Sequence, residues 1–282
     1  MTVVADRRRP PASSTDSDAQ ALISAIEAAD AQNLETGVKD ALNAYFVGLK
    51  ADGIFSLLQN FLILPNGART LAGVMIPAVG PSAINNNFTL SDYNRKTGLK
   101  GRGATVGNTA TVWLRLGMLL SDLAQNSHAI YIHGSEYETT SNAFPCLYGY
   151  FQGINNSLNT DIVTSGSGLR HFRDYGGASI TRTAATGITA SGSVCFSRTA
   201  SNLVTAYQNG VSVGTSTAAS VALPTVAPTV FARWQGNLNG PTYQTIARIA
   251  VFAATQGMTA AQVAEFHSRT QTYLAAMAAA IP

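Results

Sequence analysis

Leu203-Val204-Thr205-Ala206-Tyr207-Gln208-Asn209-Gly210-Val211-Ser212-Val213-Gly214 is the stretch that decides the fold class. Two runs rich in β-branched and aromatic residues flank an Asn-Gly pair. That pair supplies the two positive φ angles of a type I′ turn, so the spacing predicts a two-residue β-hairpin. Similar runs recur on both sides of it, at Thr109–Met118, His128–Ile132, Cys146–Gln152, Gly168–Phe172, Val194–Arg198, Val230–Trp234 and Thr245–Phe252. Turn residues separate them and no helical pattern comes between. Many short strands arranged in this way predict an antiparallel sandwich.

Helical patterns flank the strands. Ser17-Asp18-Ala19-Gln20 fits a capping box that opens a helix burying Leu22, Ile23 and Ile26. Val38, Leu42, Tyr45, Phe46 and Leu49 recur at three- and four-residue spacing and predict a second helix. Ile54, Leu57, Leu58 and Phe61 predict a short third one, ended by Pro65-Asn66-Gly67. At the other end, Thr259-Ala260-Ala261-Gln262 is a capping box before a stripe of Val263, Phe266, Tyr273, Leu274 and Met277. The expected organisation is a polar arm over 1–18, a helical docking or oligomerisation segment over 19–64, and a sandwich with a closing helix over 65–282.

Only 12% of the 282 residues are Asp, Glu, Lys or Arg, about half the usual share, while 46% are hydrophobic. A charge-driven disordered chain is thereby excluded. A net charge of +3 gives no basic face for nucleic acid. No apolar stretch reaches the roughly 18 residues that span a bilayer. Arg7-Arg8-Arg9 is followed by Pro10-Pro11 rather than an apolar run, so no secretory signal is expected. Cys146 and Cys195 are expected as buried thiols in a chain made in a cytoplasm.

Several stretches resemble a known group. Asn86-Asn87-Phe88 through Asp92-Tyr93-Asn94-Arg95-Lys96-Thr97-Gly98-Leu99-Lys100-Gly101 resembles the entry region of tailed-bacteriophage virion proteins. Ser197–Asn202 with Tyr207-Gln208-Asn209-Gly210 is similar to the strand pair of concanavalin A-like (laminin-G-like) jelly rolls. Ile246–Phe252 followed by Met258–Phe266 resembles their last strand and trailing helix. The resemblance implies a concanavalin A-like jelly roll in a phage particle, made in the host's cytoplasm. Its function would be non-enzymatic and structural, as a capsid decoration or a tail adhesin. Its partners would be other virion proteins and copies of itself, a trimer among the forms considered. The alternative is a carbohydrate-binding module for a host-surface glycan, and a glycoside hydrolase ranks below both.

The motifs favour contact over catalysis. After Asp174 the only acidic residue is Glu265, and no lysine follows Lys100, which removes most ways to build a calcium or acid/base site in that half. Glu136-Tyr137-Glu138 lacks a third carboxylate and fits a solvated loop. His128 and His133 are five apart, so on a strand they face opposite sides. His171 and Asp174 show no third metal ligand, and His267 fits packing or surface. Gly101-x-Gly103-x-x-x-Gly107 misses the dinucleotide pattern. No cofactor, metal or catalytic residue is therefore expected. One loop fits sugar contact: Trp234 and Tyr243 as stacking rings, with Asn237 and Asn239 bonding hydroxyls. Docking or oligomer contacts are expected from Val38, Leu42, Tyr45, Phe46, Leu49, Leu57, Leu58 and Phe61, whose apolar face needs cover.

Overall fold

The structure, a computed structural model, describes residues 15–103, 110–137, 146–151, 157–163, 169–174, 178–182, 190–236 and 240–282, with backbone alone at 157–163, 169–171, 179 and 181–182. Strands and helices are numbered in chain order. In the first sheet, β13 (Val211–Ser216), β12 (Leu203–Gln208), β11 (Gly192–Ala200), β6 (His128–Ser135) and β17 (Arg248–Thr255) lie side by side. Beyond β17, β1 (Leu58–Ile63) pairs with its 251–255 part. There β4 (Gly98–Lys100), backed by β3 (Tyr93–Asn94), pairs with Arg248 and Ile249.

The second sheet runs β10 (Ala178–Arg182), β9 (Leu169–Asp174), β8 (Ser157–Val163), β7 (Cys146–Phe151), β14 (Thr229–Val230), β5 (Trp113–Arg115) and β2 (Ile84–Asn86). A hairpin of β15 (Arg233–Gln235) and β16 (Gly240–Thr242) joins it by a parallel pairing of β15 on β7. The chain is thus a mainly β, sandwich-like protein closed by a C-terminal helix.

Side-chain alternation shows a third layer. Phe252 of β17 meets Tyr148 of β7 with ring centroids 5.3 Å apart, so one face of the first sheet packs on the second sheet. On its other face Tyr131 stacks on Phe266 at 4.1 Å. Phe266 belongs to α4 (Ala260–Ala280), which lies with α2 (Thr36–Ala51) over that side, while α1 (Ser17–Asp30) packs on α2 and on the short α3 (Leu71–Val74). A sheet covered on both faces needs apolar residues at every position. β6 and β17 are accordingly buried along nearly their whole length.

The docking expectation is corrected here. Val38, Leu42, Tyr45, Phe46, Leu49, Leu58 and Phe61 are buried within this chain, and Leu57 packs partly buried against the same core. Tyr45 stacks on Tyr273 of α4 at 4.6 Å, donates or accepts a 2.7 Å hydrogen bond with Thr270, and tilts against Phe61. Arg269 of α4 clamps Asp52 at 2.7 and 3.1 Å across the helix pair. The apolar stripe of α2 is covered by α4 and the sheet, and offers no free surface.

The third helix is also corrected. Phe55–Leu57 forms one 3-10 turn and Leu58–Ile63 is a strand. At the first helix, Asp16 rather than Ser17 is the cap, accepting from the N–H groups of Asp18 and Ala19, so the helix begins inside the expected arm. The capping box at Thr259 and Gln262 is present as expected. So is the hairpin turn, with φ of 51° at Asn209 and 78° at Gly210. The expected Val230–Trp234 strand is broken in two at Phe231, whose φ is 73°. Cys146 and Cys195 are buried free thiols. No described helix is long and apolar enough to cross a membrane.

Candidate functional site

Residues opposite one another in an antiparallel ladder share a face, as do residues two apart on a strand. Ile84 pairs with Arg115 and Asn86 with Trp113, so these four side chains stand together. Leu114, between Trp113 and Arg115, pairs with Val230, which pairs with Tyr148, and Tyr148 faces the first sheet. Arg115, Trp113, Ile84 and Asn86 therefore face outward. Ile84 is 57% exposed, a large apolar side chain left in solvent on the sheet's last strand.

The Arg115 guanidinium lies 5.3 Å from the Trp234 ring centroid. Nearby, the buried guanidinium of Arg233 lies 4.3 Å from the centroids of both Phe151 and Tyr243. All three distances are within the range of cation–π attraction. Trp234, Tyr243, Trp113 and Phe151 are each half-buried. The backbone here is held in unusual shapes. Tyr243 has φ of 56° and Phe231 of 73°, the left-handed region that bulky residues avoid. Both are pinned by the chain: Phe231 donates to Leu147 O at 2.8 Å, and Tyr243 O accepts from Cys146 N at 2.7 Å. None of β2, β5, β7, β15 and β16 carries a carboxylate. These strands offer rings and guanidinium donors, which suits holding a ligand.

Of the sugar-contact residues expected from the sequence, Tyr243 meets Arg233 here, and Trp234 lies against the Arg115 guanidinium while pairing with the inward-facing Tyr150 and packing partly on the core; Asn237 and Asn239 lie outside the described residues. Ile84, Asn86, Trp113, Arg115, Phe151 and Arg233 were missed. A signal for two of them was present. Ala110, Val112, Leu114, Leu116 and Met118 are all buried, so Trp113 and Arg115 occupy the outward positions of a period-two pattern.

The other candidates resolve into structure. Glu136 is exposed and ion-paired with Lys100 and Arg248, whose guanidinium is 2.9 Å away. Glu138 lies outside the described residues. His128 and His133 do face opposite ways. The His128 Nε2 lies 2.9 Å from Asp174 Oδ1 and its Nδ1 2.9 Å from Ala124 O, both at hydrogen-bond distance. The Arg198 Nε donates to Asp174 Oδ2 at 2.5 Å, and its Nη1 reaches the carbonyls of Ala200, Ser201 and Ala218. Asp174, considered from the sequence only beside His171 as a pair without a third metal ligand, is the centre of a buried triad that joins β9 of one sheet to β6 and β11 of the other. Burial alone would raise its pKa. The hydrogen bond from His128 and the charges of His128 and Arg198 outweigh burial and hold the carboxyl below its usual range. Among the described residues no three His, Cys, Asp or Glu side chains gather as a metal site.

No protein-family model and no curated protein matches the chain. Among solved structures, domain 4 of AbnA, a GH43 extracellular arabinanase from Geobacillus stearothermophilus, in complex with arabinotriose, aligns with 75% of this chain and 98% of its own. Its identity is 14% and its TM-score 0.44. The Ruminococcus gnavus IT-sialidase CBM40 bound to α2,6 sialyllactose aligns over 61% of this chain and 96% of its own, at 14% identity and a TM-score of 0.43. The K499G mutant of NanB sialidase from Streptococcus pneumoniae aligns over 59% of this chain at 16% identity and a TM-score of 0.42. The match spans only 27% of the sialidase chain. Likenesses of this size identify no activity.

Proposed function

We propose that this chain is a non-catalytic carbohydrate-binding module, built on a concanavalin A-like jelly roll, that receives a sugar ring on the outward face of its second sheet. The observation that carries the reading is the partly buried Trp234 ring against the exposed Arg115 guanidinium, together with the Phe151 and Tyr243 rings clamped on Arg233, on strands with no carboxylate. An aromatic face packs against the C–H face of a pyranose, and guanidinium groups donate to hydroxyl or carboxylate oxygens. A glycan array probed with the full chain, with Trp234→Ala and with Arg115→Ala tests it. Binding by the parent that falls about tenfold or more in Trp234→Ala, with the melting temperature kept, supports the reading; a tenfold loss is about 1.4 kcal/mol. No binding by the parent, or equal binding by all three, overturns it.

Placement in a phage particle is a further proposal that rests on the Asp92–Gly101 resemblance. In the structure that stretch is the β3–β4 hairpin, tied to the helices by Arg95 bonding Glu35 at 2.7 and 3.1 Å. Mass spectrometry of purified particles tests the placement through the presence and copy number of this chain.

A further inference from the structure

Between α4 and the helix-facing side of the first sheet lies a cavity of about 230 Å³. It is on the other side of the molecule's layers from the aromatic surface and independent of it. We propose that this cavity binds a small organic anion, with Lys96 as the counter-charge at its wall and His133 as the hydrogen-bonding group inside.

Four observations converge. The sheet is interrupted at this place: Ile249 pairs with Gly134 and Val251 with His133, which leaves Ala250 as the extra residue of a β-bulge at the cavity wall. Bulges re-aim the chain and open a sheet next to binding sites. Next, His133 is 5% exposed, lines the cavity, and its Nδ1 has no hydrogen-bond partner. A buried polar atom without a partner costs about 1–3 kcal/mol, so a group that persists in that state asks for an explanation. The neighbouring His267 of α4 stacks on it with centroids 5.8 Å apart and the rings inclined at 29°, and its Nδ1 is engaged with the buried Ser193 hydroxyl at 2.9 Å. That contact fixes the ring and leaves His133 as the available donor or acceptor.

Charge supplies the third observation. The protein has four lysines. Lys39 pairs with Glu27, Lys50 with Asp16 and Asp18, and Lys100 with Glu136. Lys96 alone has no ion-pair partner among the described residues, and it is the one that lines the cavity. The rest of the wall includes Ser135, Gln271 and Leu274 and contains no acidic side chain. Size is the fourth. Sites for drug-sized ligands start near 300 Å³, so this one suits a molecule of a few non-hydrogen atoms, with carboxylate or phosphate oxygens toward Lys96.

The test uses the full chain near neutral pH, titrated separately with acetate, inorganic phosphate and glycerol while the imidazole Hε1 signals of His133 and His267 are followed by NMR. The expected result is a saturable shift of both histidines with an anion, none with glycerol, and an affinity at least about tenfold weaker in Lys96→Gln. Saturation by acetate alone assigns a carboxylate ligand, and by phosphate alone a phosphate ester; either upholds the proposal. Leu274→Trp, which fills the cavity from α4, is expected to abolish the shifts. Glycerol acting as well as the anions, a linear response to both anions, or unchanged affinity in Lys96→Gln overturns it.

Discussion

Asp174→Ala removes the carboxylate at the centre of the triad that joins the two sheets. Arg198 and His128 are 0% and 1% exposed. Arg198 would keep its Nη1 bonds to three carbonyls and lose its charge partner, and the His128 Nε2 would lose its hydrogen-bond partner. Breaking a buried ion pair from one side costs about 3–5 kcal/mol, because the remaining charge stays out of water. Against a usual domain stability of about 5–15 kcal/mol that is a large share. At roughly 2–4 °C per kcal/mol for a chain of this size, the melting temperature should fall by about 6–20 °C. Urea unfolding followed by circular dichroism near neutral pH measures it. The triple replacement Asp174→Leu, Arg198→Met, His128→Leu removes charge and partners together and should recover most of the loss. Because the folded-state pKa of Asp174 is depressed, its contribution is present above the unfolded value of about 3.9 and is lost as pH falls through the folded value. The gap between parent and Asp174→Ala should therefore close in acid. A single-variant loss below about 1 kcal/mol, or a triple variant weaker than the single, would refute this reasoning.

Two further outcomes follow from named contacts. Burial, with a smaller push from His267, lowers the His133 pKa to about 4. A base buried in its neutral form contributes stability above its unfolded pKa of about 6.5 and loses it as pH falls toward 4, a change of about 3 kcal/mol at most. In anion-free buffer, urea midpoints should drop across that window in the parent and drop less in His133→Phe; parallel curves would refute the assignment. Gly98 has φ of 95°, and a Cβ there would strike the Ile249 carbonyl oxygen. Gly98→Ala should cost more than about 1 kcal/mol in the same assay and raise amide exchange in β4; an unchanged midpoint would show that the hairpin can shift away.

The elements legible in the sequence were those whose cause is local. The Asn209-Gly210 turn and the Thr259–Gln262 cap are decided by φ preference and by a side chain reaching three residues along. Leu58–Ile63 failed for a definite reason. It is buried on both faces, so it lacks the alternation that marks a strand, and Leu57, Leu58 and Phe61 happen to fit helical spacing. The stripe of Val38, Leu42 and Tyr45 was legible as apolar, but nothing local says what covers it, and α4 arrives from more than two hundred residues away. At the candidate site, Trp234 and Tyr243 stood out as rings around a loop. Trp113 and Arg115 carried the weaker signal of outward positions in a period-two run, and Ile84 carried none, because its meeting with Arg115 depends on the register of β2 against β5.

The sequence by itself determined a mainly β chain with helices at both ends, and a second half poor in carboxylates. Only the tertiary structure decided that the helices form a third layer over one sheet, that Asp174 joins His128 to Arg198, and that Lys96 and His133 line one cavity. The physical reason is the same in each case. Local propensities act over a few residues, whereas these pairings are chosen by how the whole chain buries its apolar faces and satisfies the polar groups taken in with them.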